Sequence, residues 1–256
     1  MSLAGDTVLF HLANGLARKR GGAAAQPKRR RLLLGDQSID LWLRTYGGDL
    51  FVFHEVFLDG CYQVPAAWGR DVRTVVDLGA NVGFTTLYFA KSFPNARFVC
   101  VEPDPHNACV LRRNVSWLGG RVRVLEGAVS DQAGEALFDS SEYSWGGKLL
   151  QQGHGTGRAV RCFTMDEIID ACDLDAIDVL KVDIEGAEEQ LFRARHEWLS
   201  RVKLIVIELH GGYSIERFQQ DVAEHGFRVL PPGGGYGNQM VFAVRSDLLS
   251  AQPQAA

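Results

Sequence analysis

From Asp71 onward, short apolar runs alternate with stretches of helical period. TVVDLG precedes GFTTLYFAKSF, RFVCVEP precedes PHNACVLRRNVSWL, VRVLEGAV stands next, DVLKVDI precedes AEEQLFRARHEWL, and KLIVIELH precedes SIERFQQDVAEHG. Near-continuous apolar strands separated by helices are the pattern of a parallel sheet covered on both faces. The pattern predicts a doubly wound α/β domain over residues 71–246. Cap chemistry agrees: Asp104-Pro105 offers an N-cap followed by proline at the first helical position, and Thr164-Met165-Asp166-Glu167 reads as a capping box. Gly226 stands where a helix ending at His225 needs a left-handed residue. FRVLPP and MVFAVRS, joined by the glycine-rich GGGYGN, predict an antiparallel strand that closes the sheet, with residues 247–256 left as a C-terminal tail.

The pattern is weaker outside these runs. IDLWLRT and LFVFHEVF flank the turn-forming Tyr46-Gly47-Gly48-Asp49, which predicts a hairpin or strand-turn-helix addition over residues 32–70 packing on the main domain. Residues 1–31 lack apolar periodicity and read as a flexible basic arm. Between the third strand and the capping-box helix lies an insertion containing SSEYSWGGKLLQQGHGTG, whose Gly, Ser and Gln content predicts a mobile loop. Tyr143, Ser144 and Trp145 beside Gly146, Gly147 and Lys148 would suit a lid over the crevice, or an ordinary surface loop with one packed Trp.

Composition supports one sizeable core, with 256 residues, 46% hydrophobic and 10% aromatic. The net charge of −4 conceals an asymmetry. Residues 1–31 hold seven Lys/Arg and one acid, which leaves 20 basic against 30 acidic residues in the body. Such a body disfavours nucleic acid as a partner. The five cysteines, at 61, 100, 109, 162 and 172, show no metal-ligand or C-x-x-C spacing. Reduced thiols in a cytoplasmic protein are the simplest reading. No apolar run reaches membrane-spanning length. Asn114-Val115-Ser116 matches the glycosylation pattern, which without export reads as a chance match.

Candidate chemistry begins in VVDLGANVGFTT, Val75 to Thr86. A dinucleotide fingerprint needs G-x-G-x-x-G, but the frame from Gly79 presents Asn81 and Phe84 at the other two glycine positions. No Lys or Arg lies between Thr74 and Ala90 to meet a polyphosphate. What remains is an acid, Asp77, a glycine-framed hollow, and Asn81, a residue type that tolerates positive φ. Glu102 ends the second strand 23 residues after Gly79, near the ~20-residue offset at which a carboxylate receives ribose hydroxyls. A ligand with a ribose, an ammonium group and no phosphates is S-adenosyl-L-methionine.

The motifs VVDLGANVGFTTLYFA, FVCVEPDPHNACVLRRN, GAVSD, FTMDEII, LKVDIEGAEEQLF and IVIELHG, with FHEVFLDGCY ahead of them, make this chain resemble the FkbM family of S-adenosylmethionine-dependent methyltransferases. The resemblance implies a seven-stranded mixed sheet in the order 3-2-1-4-5-7-6 and methyl transfer to oxygen, often on a sugar or natural-product hydroxyl. It also implies that Asp77, Gly79, Ala80, Asn81 and Gly83 surround the methionine part, that Glu102 with Pro103 meets the ribose, and that Ala128 and Val129 flank the adenine.

Strand alternation puts Lys181, Asp183 and Glu185 on one side of LKVDIEG, and the next strand brings Glu208 and His210. The ligand crevice of such a sheet lies outside the carboxyl ends of its strands. Asp183, which also belongs to the cofactor set, Glu185, His210 and Lys181 are therefore the candidates for chemistry. Bland readings stand beside them: a Lys181–Asp183 ion pair, a helix cap by Glu185, a merely hydrogen-bonded His210. The acids and His210 would also admit Mg²⁺, but no repeated carboxylate spacing singles out a metal, so none is expected. The expected function is O-methylation of a small-molecule hydroxyl. The alternative is a catalytically silent S-adenosylmethionine-binding module acting through protein contacts.

Overall fold

The computed structural model describes residues 26–34, 37–44, 48–69, 71–140, 146–150, 157–193, 196–230 and 240–250. Most of the basic arm, Tyr143 to Trp145, the glycine-rich stretch 233–238 and the tail beyond residue 250 lie outside them.

The described chain opens with an antiparallel hairpin, β1 (Lys28–Leu34) and β2 (Gln37–Leu43). Helix α1 (Asp49–His54) follows and widens into a π-helical turn over Glu55–Asp59. The main domain runs β3 (Thr74–Leu78), α2 (Phe84–Ser92), β4 (Arg97–Glu102), α3 (Pro105–Val115) and β5 (Val122–Glu126). An insertion then contributes β6 (Ala128–Val129), β7 (Gly134–Asp139), β8 (Lys148–Leu149) and β9 (Arg158–Phe163). The domain resumes with α4 (Met165–Ala171), β10 (Ile177–Val182), α5 (Glu188–Arg193), β11 (Val202–Glu208), α6 (Ile215–Ala223), β12 (Phe227–Leu230), β13 (Met240–Arg245) and α7 (Ser246–Ser250).

The main sheet has the order β5-β4-β3-β10-β11-β13-β12, which in domain numbering is the expected 3-2-1-4-5-7-6. The five strands from β5 to β11 in that order are parallel, and β13 runs antiparallel to both β11 and β12. Every residue of β3 is buried, as a strand covered on both faces requires. Alternation along the strands divides the core. Val76, Leu78, Leu180, Val182, Ile205 and Ile207 pack with α4, α5 and α6. Val75, Phe98, Cys100, Val179, Leu204 and Val206 pack with α2, α3, the hairpin and α1. Asp77, Glu102, Lys181, Asp183 and Glu208 share the parity of this second set, so their side chains emerge on the face covered by α2, α3 and the N-terminal segment.

The expected caps are present. Asp104 accepts from the His106 and Asn107 amides, Thr164 and Glu167 form a reciprocal capping box, and Gly226 has φ 79°. Two expectations change. Strand β1 starts at Lys28, inside the stretch read as an arm, because Arg29 pairs with Asp40 across the hairpin at 2.5 Å while Ile39, Leu41 and Leu43 of β2 enter the core. The insertion is not one long loop: β6, β9, β7 and β8 form a four-stranded sheet. Only Phe138 of β7 is buried, so GEALFD carries almost no apolar pattern, and backbone pairing with β9 holds the strand instead. Among the described residues, no helix is long and apolar enough to cross a membrane.

Asn114 ties the N-terminal segment to the domain. It is fully buried, accepts from the Trp42 amide at 2.6 Å, and donates to the carbonyls of Trp42 (2.9 Å) and Val82 (2.7 Å). The apparent glycosylation site is therefore consumed by packing. Asn114→Ala leaves these backbone groups unpaired and is expected to lower unfolding free energy by roughly 2–4 kcal/mol. A urea midpoint within error of wild type would show that the hairpin is not held in this way.

Candidate active site

A cleft of about 380 Å³ opens where the parallel strands end, with the loops after β3, β4, β10 and β11 along its floor. The loop after β3 is held tightly. Gly79 has φ 70°, and a Cβ there would lie 1.8 Å from the Asp183 carbonyl oxygen, so only glycine lets this loop and the end of β10 touch. Asn81 has φ 50°, and its amide donates to Glu102 at 2.8 Å.

Glu102 also accepts from the Asp104 amide (2.9 Å) and Asn107 Nδ2 (3.3 Å). Burial raises its pKa to about 7, against the lowering effect of these hydrogen bonds. Asn81 Oδ1 is buried with no hydrogen-bond partner. Gly79, Ala80, Asn81, Glu102, Pro103, Ala128, Val129 and Asp183 all line the cleft. Two residues expected around the cofactor do not. Asp77 is fully buried behind the loop, where it accepts from Thr86 Oγ1 at 2.7 Å and faces Lys181 Nζ at 3.2 Å. Gly83 is pressed against α3, where a Cβ would meet Leu111 at 2.6 Å.

Lys181 is nearly inaccessible. Its Nζ donates to the carbonyls of Gly79 (2.7 Å) and Leu78 (3.2 Å) and lies 3.6 Å from Asp183 Oδ2. Burial alone would lower its pKa, but Asp77 and Asp183 outweigh burial and raise it. Lys181 is thus a fixed cation, and the bland ion-pair reading is the one its surroundings support.

The opposite end of the cleft gathers Asp183, Glu185, Glu208 and His210, together with Glu55 from the π-helical turn. Strand β10 ends at Val182 and β11 at Glu208, so Glu185, at φ 55°, and His210 reach it from turns and not by strand alternation. Tyr62 donates to Asp183 Oδ2 at 2.9 Å. Glu188, fully buried, accepts from the Ile184 and Gly186 amides, each at 3.0 Å, and pairs with His210 Nδ1 at 2.9 Å. His210 Nε2 then lies 3.7 Å from Glu208 and 4.0 Å from Glu185. Burial would lower the His210 pKa, but the Glu188 hydrogen bond and charge, with Asp183 and Glu208, raise it to about 9. Glu185 is raised to about 7 by burial first and Asp183 next. Glu55 reaches about 7 through burial, Glu208 and Asp183.

Tyr62, Glu55, Glu188 and Asn107 were not singled out from the sequence. Glu188 stands in EGAEEQ beside the named Glu185 and was legible as an acid in the first turn of α5. Tyr62 meets Asp183 across 121 residues and had no local pattern to betray it.

The donor set admits one kind of occupant at the glycine-loop end. Among the described residues, the cations on the cleft wall are Lys181 and His210, and both are held by protein partners. A carboxylate and an unpaired amide oxygen stand opposite, which suits hydroxyl and ammonium donors and not a phosphate. Fold and site together define a Rossmann-like methyltransferase. The profile described as "Methyltransferase FkbM domain" matches residues 77–229, and the chain belongs to that family, whose members use S-adenosylmethionine.

Relatives agree. The 2-O-methyltransferase NoeI of Sinorhizobium fredii is 27% identical over 57% of this chain and 67% of its own length. The 31-O-demethyl-FK506 methyltransferase FkbM of Streptomyces tacrolimicus is 26% identical over 62% of this chain and 74% of its own. The crystal structure of methyltransferase FkbM from Methylobacillus flagellatus KT superposes with a TM-score of 0.53 at 14% identity, covering 75% of this chain and 47% of that one.

The raised pKa of Glu102 makes stability depend on pH. Its folded value, about 7, exceeds the ordinary 4.5, so the stabilisation from protonation is complete below about pH 4.5 and is lost as pH rises through 7. Between pH 5 and pH 8 the wild type is expected to lose on the order of 2 kcal/mol relative to Glu102→Gln. Denaturant titrations of both proteins across that range check this, and parallel pH profiles would contradict it.

Proposed function

We propose that this chain transfers a methyl group from S-adenosylmethionine to a hydroxyl of a small molecule, a sugar or natural-product-like acceptor. The observation that carries the reading is the division of a single cleft into two unlike ends. One offers, among the described residues, hydrogen-bonding groups without free cations. The other offers carboxylates whose proton affinity is matched to neutral pH.

Glu102, with Asn81 and the Gly79–Ala80 backbone, would hold the ribose and amino-acid portions of the donor, and Ala128 and Val129 would flank its adenine. When bound, S-adenosylmethionine supplies an electrophilic methyl group on a sulfonium. This chain's residues then have to align a hydroxyl, exclude water and accept one proton. Asp183 is fixed for such a task by Tyr62 and Lys181, which set its orientation from two sides. Glu208 and Glu185 have raised pKa values, first through burial and then through Asp183, which makes them apt proton acceptors. His210, clamped by Glu188, acts as a positioned partner to both rather than as the base.

The relatives named as 2-O- and 31-O-demethyl-FK506 methyltransferases support oxygen as the accepting atom. The five unpaired cysteines support a reducing, cytoplasmic setting. A silent binding module would have no use for this many desolvated acids at one end of the cleft.

The deciding experiment incubates the protein with isotopically methyl-labelled donor and a metabolite extract of the source cells, followed by mass spectrometry. A labelled product carrying one added methyl on oxygen is expected. Binding of S-adenosylhomocysteine without any labelled product would favour the silent module. The two ends of the cleft should also separate by mutation. Glu102→Ala is expected to weaken S-adenosylhomocysteine binding by about 1.5–3 kcal/mol. Asp183→Asn is expected to lower turnover on the order of 10²-fold while changing that affinity far less. Calorimetry and turnover on both variants check the division, and the opposite pattern would exchange the roles assigned to the two acids.

A further inference from the structure

We propose that Asp183, Glu185 and His210 bind one divalent cation of the oxygen-preferring class, Mg²⁺ or Mn²⁺, at the acceptor end of the cleft. One ligand atom from each lies within 4.8 Å of those from the other two. That is the span of two ligands on opposite sides of a cation with bonds of about 2.4 Å, and small side-chain movements contract it toward the ~2.1 Å bonds of Mg²⁺. The sequence offered no repeated spacing because the three ligands come from two strands. The β10–β11 register pairs Val182 with Ile207, which brings the residues just beyond them to one edge.

Two of the ligands are aimed by partners outside the trio. His210 Nδ1 is held by Glu188, whose carboxylate is itself fixed by two backbone amides, so Nε2 is the nitrogen presented to the cleft, and the metal ion takes the place of the proton that Nε2 otherwise carries. A carboxylate behind a ligating imidazole is the usual orienting arrangement at metal centres. Nε2 has carboxylate oxygens at 3.7 and 4.0 Å, too far for hydrogen bonds and spaced for an ion between. For Asp183, both Tyr62 and Lys181 contact Oδ2, which leaves Oδ1 for a ligand.

Glu208 and Glu55 add further negative charge at this end, which offsets the Lys181 ammonium 3.6 Å from Asp183 Oδ2, itself shared with Asp77 and two backbone carbonyls. Two carboxylates and no thiolate place the site in the oxygen-ligand class that takes Mg²⁺ or Mn²⁺, and of these two the single imidazole suits Mn²⁺ better. The ion's role rests on the proposed O-methylation. An acceptor hydroxyl bound to the cation becomes more acidic. Its O–H bond breaks with the electron pair staying on the cation-bound oxygen, and the proton passes to the Glu208 carboxylate.

The test uses the full chain, stripped with chelator and titrated with Mn²⁺ under electron paramagnetic resonance. One bound Mn²⁺ per chain is expected, with a dissociation constant below about 1 mM and a ¹⁴N coupling from His210. Glu185→Gln and His210→Gln should each weaken binding on the order of 10-fold or more. Glu126→Gln, at the exposed Arg112 pair outside the cleft, should leave it unchanged. Melting temperature and S-adenosylhomocysteine binding establish that each variant is folded, and Glu185→Gln, the milder change, keeps the test decisive if His210→Gln unfolds. No Mn²⁺ bound by folded wild type at millimolar metal, or bound Mn²⁺ without nitrogen coupling and indifferent to both substitutions, overturns the proposal. The readout needs neither methyl donor nor acceptor, so its failure is distinguishable from failure of the labelled-product experiment.

Discussion

Placing an ammonium group inside a parallel sheet costs several kcal/mol of lost hydration unless its hydrogens and charge are met by partners. Lys181 Nζ meets that condition with two carbonyls, Leu78 and Gly79, and two carboxylates, Asp77 and Asp183. Those partners come from β3 and from the end of β10, the neighbouring strands between which the order of the sheet reverses. The ammonium therefore fixes the opening of the glycine loop and, through Asp183, the start of the opposite wall. Removing either side of such a cluster would leave uncompensated charge in the core, so the two ends of the cleft are mechanically one object. Gly79 is the steric counterpart of the same contact, because its missing side chain lets the Asp183 carbonyl approach.

Parity carries this arrangement outward. Lys181, Asp183, Asp77, Glu102 and Glu208 share one face of the sheet with Val75, Val179 and Val206, and that face is covered by α2, α3, the N-terminal hairpin and α1 rather than by α4, α5 and α6. A polar cluster on this face requires a partner from the covering layer. Tyr62 is that partner, with its ring 5.5 Å from Lys181 Nζ and its hydroxyl on Asp183. Asn114 secures the covering layer at its far side by pairing with the backbone of β2.

What the sequence disclosed follows from the same physics. The sheet was legible because β3, β4, β10 and β11 are largely buried on both faces and so read as near-continuous apolar runs. Glu102, Asp183, Glu185 and His210 were legible because strand ends on one sheet edge converge. Asp77 was legible as an acid but not in its direction, since a carboxylate at a strand end reads alike whether it faces a ligand or a lysine one strand away. Tyr62 and Glu55 were hidden by separation along the chain, and β7 and β9 by lying half in solvent, where backbone pairing leaves little mark on side-chain choice.

The walls of the cleft differ in origin from its floor. Strand ends and the loops after them supply the floor, and these lie within the family match at residues 77–229. One wall comes from Phe51, Val52, Glu55, Cys61 and Tyr62, ahead of that match, and another from Phe138, Gly147 and Leu149 of the small insertion sheet. Gly147 packs so closely on Phe138 that a Cβ would lie 2.4 Å from its ring, so the described part of this wall is shaped by close contact. Residues that handle a shared donor belong on the rigid sheet edge, where β-structure fixes their positions. Residues that fit one acceptor and not another belong on added segments, whose sequence can change without disturbing the core. The groups that face the end proposed for the acceptor from outside the sheet, Glu55 and Tyr62, are carried by the N-terminal addition.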